Sequence, residues 1–206
     1  MPLEARKTSN ILITFLQKLL HLHQSHENIM KNIQPKIILV ISAIAVAAVF
    51  RLLPHWPNFT PVATIALMGG ALVSARALSF LLPLAAMFIS DILTIVFING
   101  RYITVGEYFS SEGTALIYLS IVAMTAIGFF LKSRRSIPAL AMASTASAVV
   151  FFLMSNFGAW LTNTLPKTGA GLMATYEMGI PFFANNLAGN LFFTFVLFGI
   201  LSWAGK

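Results

Sequence analysis

The chain has 206 residues, of which 58% are hydrophobic and only 9% are charged, whereas a soluble domain carries about 25% charged residues. This composition excludes an ordinary soluble protein and predicts a polytopic membrane protein. Since the chain has no cysteine, disulfides, thiolate metal sites and thiol nucleophiles are excluded as well. The net charge of +7 comes mostly from residues between hydrophobic segments, which favours orientation in a membrane over nucleic-acid binding.

Six hydrophobic segments reach or approach the roughly 20 residues that a helix needs to cross a bilayer. The predicted fold is therefore all-α, a polytopic membrane protein with six transmembrane helices that form one domain over residues 36–206. Residues 1–35 are an N-terminal extension, and the alternatives for it are an interfacial helix or a mis-called start before Met30. The second segment is short, so we expect it to be tilted or incomplete. The predicted spans are 36–53, 60–75, 77–98, 113–131, 137–160 and 182–203.

The positive charges predict the orientation of this bundle. All of the 13 Lys and Arg residues except Arg51, Arg101 and Lys167 lie on the side that also holds both termini. The positive-inside rule places that side in the cytoplasm. The connections on the outer side are more polar and lie close to several Tyr and Trp residues, which is typical of a membrane interface. These outer connections are residues 54–59, 99–112 and 161–181.

The first outer connection combines polar side chains with prolines, in the sequence RLLPHWPNFT that begins at Arg51. Proline fixes φ, so a short loop of this kind holds His55 and Asn58 in place before a ligand arrives. We predict that Arg51 binds a carboxylate or phosphate of a solute and that His55 and Asn58 contact the solute from the loop. The alternative is a rigid helix connection without a ligand.

Asp91 is the acidic residue that lies well inside a predicted span. A charge at the centre of a bilayer costs about 2.5–3.5 kcal/mol on insertion scales, so this carboxylate must face protein or a cavity. We predict that Asp91 pairs with Arg51 and sets its orientation. Direct contact between Asp91 and the solute is the alternative.

Asparagine residues recur near the outer ends of the last two predicted spans. Asn156 and Asn163 are seven residues apart and flank Trp160, while Asn186 and Asn190 are four residues apart on the next span. Amides both donate and accept hydrogen bonds, and they are costly in lipid when unpaired. We predict that the four amides and the indole line a polar pocket. Hydrogen bonding between helices alone is the alternative.

Small residues recur at four-residue spacing on two spans. Ala43 and Ala47 lie on the first span, and Ala66, Gly70 and Ser74 form a ridge on the second. Small side chains let helix backbones approach closely in lipid. Internal packing explains such ridges, and a groove for a partner membrane protein is the functional alternative.

Several kinds of chemistry have no recognisable sequence signal. The chain lacks a GxxxxGK[ST] phosphate loop, an HExxH motif and a nucleophile–base arrangement. His21, His23 and His26 are spaced i, i+2, i+5 and do not converge on one helix face, which favours solvated histidines over a metal site. We therefore predict a protein that is not an enzyme, with no catalytic residues, metal or cofactor and no nucleic-acid partner.

Four motifs carry a resemblance that covers residues 36–203: RLLPHWPNFTPVATIALMGGAL, PLAAMFISD, SNFGAWL and IPFFANNLAGNLFFTFVLFG, in this order. Together they resemble a family of uncharacterised bacterial membrane proteins described only as transport proteins. That family is distantly similar to the S-components of energy-coupling factor vitamin transporters. S-components are six-helix proteins that take a vitamin or metal from outside and deliver it by toppling in the membrane. A separate membrane coupling protein and two ATPases drive them.

The resemblance implies the same kinds of partner for this chain and a location in the bacterial inner (cytoplasmic) membrane. Ala43 and Ala47 match the AxxxA feature with which S-components dock onto the coupling protein. No vitamin-specific signature is recognisable, and there is no cysteine to ligate a cobalt centre. The resemblance therefore leaves the solute open.

These features predict a membrane-embedded solute-binding transport component that takes up a vitamin-like micronutrient from the outer face. The alternative is a structural or accessory subunit of a larger membrane complex. In that case the small-residue ridges contact partners and the amides merely join helices. A membrane enzyme is the third hypothesis, and it lacks the acid or nucleophile constellation that it would need.

Overall fold

The computed structural model describes residues 14, 17–25, 42, 45, 50, 56–99 and 103–204. The chain divides into two compact units, Met1–Leu39 and Val40–Lys206. In the first unit, residues 17–25 are helical and their side chains are exposed. Every regular element in the described ranges of both units is a helix, and these ranges contain no strand, which confirms the all-α prediction.

The described part of the second unit is a series of helices joined by short connections. Helix α1 spans Val62–Leu72, and α2 spans Arg76–Thr94 and continues as a π-helix over Ile95–Asn99. A short helix, α3, follows over Val105–Ser110. Helix α4 spans Glu112–Gly128 and ends in a 3₁₀ turn over Phe129–Lys132. The last two helices are α5, Ile137–Thr162, and α6, Gly169–Ala204.

Four of these helices are long and apolar enough to cross a membrane, so the chain is a multi-pass membrane protein. They cover Arg76–Ile98, Glu112–Lys132, Ile137–Thr162 and Gly169–Trp203. The predicted second span is instead the 11-residue helix α1, which at 1.5 Å per residue cannot cross a hydrocarbon core of about 30 Å. The predicted first span, 36–53, lies outside the described residues except for three positions. The count of six spans is therefore not confirmed.

Helix α6 begins 13 residues earlier than the predicted span 182–203. Residues 169–181, expected in an outer connection over 161–181, are helical, so that part of the prediction is wrong. The helix starts at Gly169, runs through Pro181 and contains 36 residues. Gly171, Thr175 and Gly179 recur every fourth residue and are buried on one face. Gly171 and Gly179 are therefore buried positions of a helix and not turn residues.

The backbone of helix α1 packs directly against the backbone of α4 inside the bundle, with no side chain between them at the glycine positions. A Cβ at Gly70 would overlap the backbone of Thr125 and Gly128, and a Cβ at Gly128 would overlap the backbone of Leu67. Ala66, one turn before Gly70, is fully buried. The Ala66 and Gly70 positions of the predicted ridge therefore face the interior, while Ser74 lies exposed after the helix ends.

The end of the bundle at which α1 terminates carries a cluster of basic residues. The guanidinium of Arg135 donates to the carbonyl oxygens of Leu131 and Ala71, each at 3.1 Å. A cation on the last carbonyls of a helix offsets the negative end of its dipole. Lys132 and Arg134 lie at the same end and contact the rings of Phe129 and Phe130.

Candidate functional site

A tight turn at the opposite end of the bundle precedes α1. The backbone N–H of Phe59 donates to the carbonyl of Trp56 at 3.0 Å, which closes a four-residue turn. Asn58 has φ = 62°, and Pro57 precedes it. Proline followed by a residue with positive φ is typical of a type II turn, in which asparagine is one of the few residues tolerated at the third position. The turn therefore fixes the backbone position from which the Asn58 side chain extends.

Contacts with α6 hold this turn against the bundle. The ring of Phe59 lies 5.4 Å from that of Phe193 and 5.9 Å from that of Phe192, between centroids. A Cβ at Gly189 would come within 3.1 Å of the Phe59 Cα and 3.2 Å of the Thr60 nitrogen. A glycine at this position therefore lets the turn lie on the helix surface between Asn186 and Asn190.

A cavity of about 520 Å³ lies beneath this turn. Pockets for small organic ligands usually measure about 300–1,000 Å³. Its inner wall comes from the buried core, where Ala63, Met87 and Met124 pack together. The lining residues, drawn from the turn and from helices α1, α2, α4, α5 and α6, are Pro57, Asn58, Thr60, Val62, Ala63, Met87, Thr94, Met124, Phe151, Asn186 and Asn190.

A second cavity of about 200 Å³ lies between α5 and α6. It shares Asn58, Phe151 and Asn186 with the larger cavity, so the two volumes are neighbours. Asn156 and Ser155 add polar groups to its wall. None of the described residues that line either cavity has an ionisable side chain.

Asn186 and Asn190 form a buried amide pair on α6. The Nδ2 of Asn190 donates to the Oδ1 of Asn186 at 3.3 Å. Asn190 is 1% exposed and Asn186 is 7% exposed. Among the described residues, the Nδ2 of Asn186 and the Oδ1 of Asn190 have no other hydrogen-bond partner. Both residues line the larger cavity, and their amides keep unused hydrogen-bonding capacity: two N–H groups on Asn186, and one N–H group and the Oδ1 on Asn190.

Asn156 lies in the wall of the smaller cavity and is oriented by its own helix. Its Nδ2 donates to the carbonyl oxygen of Phe152 at 2.8 Å. The facing residue on α6 is Gly179, where a Cβ would overlap the Asn156 amide. Because glycine has no side chain, the Asn156 amide can occupy the space next to residue 179.

Asp91 lies on the face of α2 that carries Met87 and Thr94, both of which line the larger cavity. It is 1% exposed and accepts a hydrogen bond from the hydroxyl of Tyr118 at 2.9 Å. Sequence reasoning missed Tyr118, a tyrosine in the middle of a hydrophobic span and so a natural partner for a buried carboxylate. Arg51, the expected partner, lies outside the described residues, as does His55.

Trp160, in the last turn of α5, and Asn163, the first residue after this helix, lie apart from the described lining of both cavities. The indole N–H of Trp160 donates to the carbonyl of Pro166 at 3.2 Å, and the Asn163 amide donates to the Thr175 hydroxyl at 3.1 Å. The ammonium of Lys167 donates to the carbonyl oxygens of Trp160 and Asn163. These contacts close the end of α5, so the structure does not bring either residue to the cavity walls.

The structure does not test the predicted docking pair, and it shows no metal site among the described residues. Ala43 and Ala47, the predicted docking pair, lie outside the described residues. The described residues contain no cluster of three or more His, Asp or Glu side chains placed to hold a metal ion. Sequence reasoning also missed Phe151, which lines both cavities, because nothing in the sequence separates it from the other 17 phenylalanines.

Comparison with known proteins places the chain in a family without assigning an activity. No curated protein and no solved structure matches it. The similarity to S-components that the motifs suggested is not among the matches and stays a prediction. Residues 31–206 match the model of a family of unknown function, DUF6580. Since this match covers most of the sequence, the chain belongs to the DUF6580 family.

Proposed function

We propose that this protein is the solute-binding component of a membrane transport system and takes up a vitamin-like micronutrient from the outer face. One observation carries the proposal: a cavity of about 520 Å³ has Asn58, Asn186 and Asn190 in its wall. Asn186 and Asn190 are buried, and buried amides with unused hydrogen-bonding capacity are costly in a membrane protein unless a ligand or water satisfies them. A solute with hydrogen-bonding groups provides that satisfaction.

The position of the cavity in the bundle supports access from outside. It lies beneath the Trp56–Phe59 turn, at the end opposite the basic cluster of Lys132, Arg134 and Arg135. Basic residues mark the cytoplasmic side of membrane proteins. The turn then faces the outside, and the proposed location is the inner membrane of a bacterium.

Transport by this chain needs an energy source that other proteins supply. A membrane coupling protein with ATPase subunits is the proposed partner, by analogy with S-components. Ala43 and Ala47 are the proposed docking residues. The Arg51 and His55 roles predicted from sequence belong to the same proposal, with both residues facing the solute.

The accessory-subunit alternative used two small-residue ridges, at Ala43 and at Gly70, as partner surfaces. Ala66 and Gly70 pack inside the bundle, so the Gly70 ridge is not a free surface, whereas the Ala43 ridge lies outside the described residues. The amides remain compatible with simple helix joining, which the following experiment addresses.

The test is mass spectrometry of small molecules released from the purified protein. Asn186→Leu removes a cavity amide, and Asn163→Leu removes a partly buried amide that lies in the α5–α6 connection. We expect one compound from the parent and from Asn163→Leu, and none from Asn186→Leu. Equal release from all three proteins, or from none, would contradict solute binding at this cavity. Thermal unfolding of each variant controls for loss of fold.

A further inference from the structure

We infer that the helix over residues 17–25 is an amphipathic surface helix that lies on the cytoplasmic face of the membrane and binds anionic phospholipids. An interfacial helix is one of the two alternatives that the sequence leaves for residues 1–35. This role is separate from solute binding at the cavities, and neither depends on the other.

The described helix exposes its leucines. Leu19, Leu20 and Leu22 are 47%, 66% and 61% exposed, so much of each side chain is uncovered. In the sequence, Leu12, Leu16, Leu19 and Leu20 have the spacing i, i+4, i+7, i+8, which is typical of the apolar face of an amphipathic helix. Water is an unfavourable environment for such a face, which therefore favours a binding surface of its own.

Polar side chains occupy the opposite face. Gln17, His21 and Gln24 have the spacing i, i+4, i+7, and all three are exposed. Lys18 lies at the border between the faces, where the stem of a lysine covers apolar surface while its ammonium reaches the headgroups. His23 lies on the leucine side, and an imidazole there presents an apolar body with a polar tip. Leucines on one face and polar or basic groups on the other are typical of helices in the interface plane.

The size of the leucine face favours lipid over a protein partner. A stable protein interface buries about 800 Å² on each partner and involves about 20–30 residues a side, far more than residues 17–25 provide. The membrane needs no such area, because the same chain spans it. Tethering to a bilayer-spanning domain gives even a weakly binding helix a high effective concentration at the membrane surface.

The charge of the segment favours anionic lipids. The N-terminal unit, Met1–Leu39, contains five Lys or Arg residues and two Glu residues, a net charge of +3 with neutral histidines. Basic segments next to a membrane-spanning region are attracted to anionic headgroups. An excess of Lys and Arg also marks the cytoplasmic side, which is where the helix binds.

The test uses single cysteines on the full chain, which has no native cysteine. Leu19→Cys places a label on the leucine face and Gln17→Cys on the opposite face, since two residues turn a helix by about 200°. Each variant is labelled with a small fluorescent maleimide and placed in lipid nanodiscs. One set contains equal parts phosphatidylcholine and phosphatidylglycerol, and the other contains phosphatidylcholine alone. Iodide quenches the label from water, and doxyl-labelled lipid quenches it from the bilayer.

In the mixed nanodiscs, we expect iodide to quench Leu19→Cys more weakly than Gln17→Cys by about twofold or more, and doxyl-labelled lipid to quench it more strongly by a similar factor. Both differences should shrink in phosphatidylcholine alone, because the basic residues lose the attraction of anionic headgroups.

Three results would contradict parts of this inference. Equal quenching of the two labels by both quenchers would overturn the surface helix. Protection of Leu19→Cys from iodide without quenching by doxyl-labelled lipid would show that a protein surface covers the leucines, and would overturn lipid binding. Identical quenching in the two lipid compositions would overturn the preference for anionic phospholipids.

Discussion

Gly179 of α6 lies directly against the side-chain amide of Asn156 on α5, so closely that even a methyl group at 179 would overlap that amide. Both residues line the smaller cavity, and the Asn156 amide is held by the carbonyl of Phe152. The packing between these two helices and the polarity of the cavity wall therefore depend on the same pair.

Replacing Gly179 by alanine should destabilise the protein by about 1–3 kcal/mol, because overpacking forces the Asn156 amide to move. The measurement is thermal or denaturant unfolding in detergent. Gly199→Ala is the matched control on the same helix, since a Cβ there meets nothing within 4 Å. Alanine is the better helix former, so the control should be neutral or slightly stabilising. Equal effects of the two changes would refute the assigned contact.

Replacing Tyr118 by phenylalanine should destabilise the protein by about 1–3 kcal/mol, because the buried Asp91 carboxylate loses a hydrogen-bond donor. The ring itself is retained, including its edge contact with Phe109 at 6.0 Å between centroids. Any loss of stability then belongs to the hydroxyl. An unfolding midpoint identical to that of the parent would show that the hydroxyl does not support Asp91.

Replacing Gly70 by alanine should cost about 1–3 kcal/mol or more, since the new methyl group meets the α4 backbone and neither partner is a flexible side chain. Gly106→Ala is the control, because nothing lies within 4 Å of a Cβ at that position. Comparison of expression and unfolding checks the prediction. A Gly70→Ala protein as stable as the parent would contradict the close contact with α4 and would leave the Ala66–Gly70 ridge as a candidate partner surface.

Acidification should loosen helix α3 only at unusually low pH. Hydrogen bonds from the backbone and hydroxyl of Thr104 hold the pKa of Glu107 below its ordinary value of 4.5. A lowered folded-state pKa contributes stability that is present above the ordinary value and is lost as the pH falls through the lowered one. The protection of the amides of residues 105–110 against hydrogen exchange, measured relative to the intrinsic exchange rate at each pH, should therefore fall as the pH drops through the lowered pKa of Glu107. Thr104→Val should move this onset upward, and an unchanged onset would contradict the assignment.

The sequence predicted the long spans well because continuous apolar length is a direct consequence of the bilayer. The predicted span 113–131 corresponds to Glu112–Lys132, and 137–160 corresponds to Ile137–Thr162. It could not predict the start of α6, because a glycine that packs against a neighbouring helix and a glycine in a turn look the same in one sequence. Gly179, which packs against Asn156 of α5, is such a residue.

The candidate site was predictable only in part for a similar reason. Asn186 and Asn190 lie one turn apart inside a long helix, so their shared face followed from helix geometry. Asn163 was assigned to the same wall, but α5 ends at Thr162 and the next amide turns into the connection. The position of a helix end decides whether a polar side chain meets a cavity or a loop, and sequence fixes that position only to within a few residues.

The proposed function requires that a solute enters the larger cavity from outside, and the accessibility of single cysteines tests this directly. The chain has no native cysteine, so single cysteines can be labelled without background. We would measure the rate at which a membrane-impermeant maleimide labels Thr60→Cys on the cavity wall and Ser133→Cys at the basic end, in intact cells. We would repeat the Thr60→Cys measurement on purified protein with and without the small-molecule extract released from the parent.

We expect Thr60→Cys to be labelled in intact cells and Ser133→Cys to be labelled only after the membrane is opened. We also expect the extract to slow the labelling of Thr60→Cys. Labelling of Ser133→Cys alone in intact cells would contradict the orientation, and a rate at residue 60 that ignores the extract would contradict occupation of the cavity by a solute.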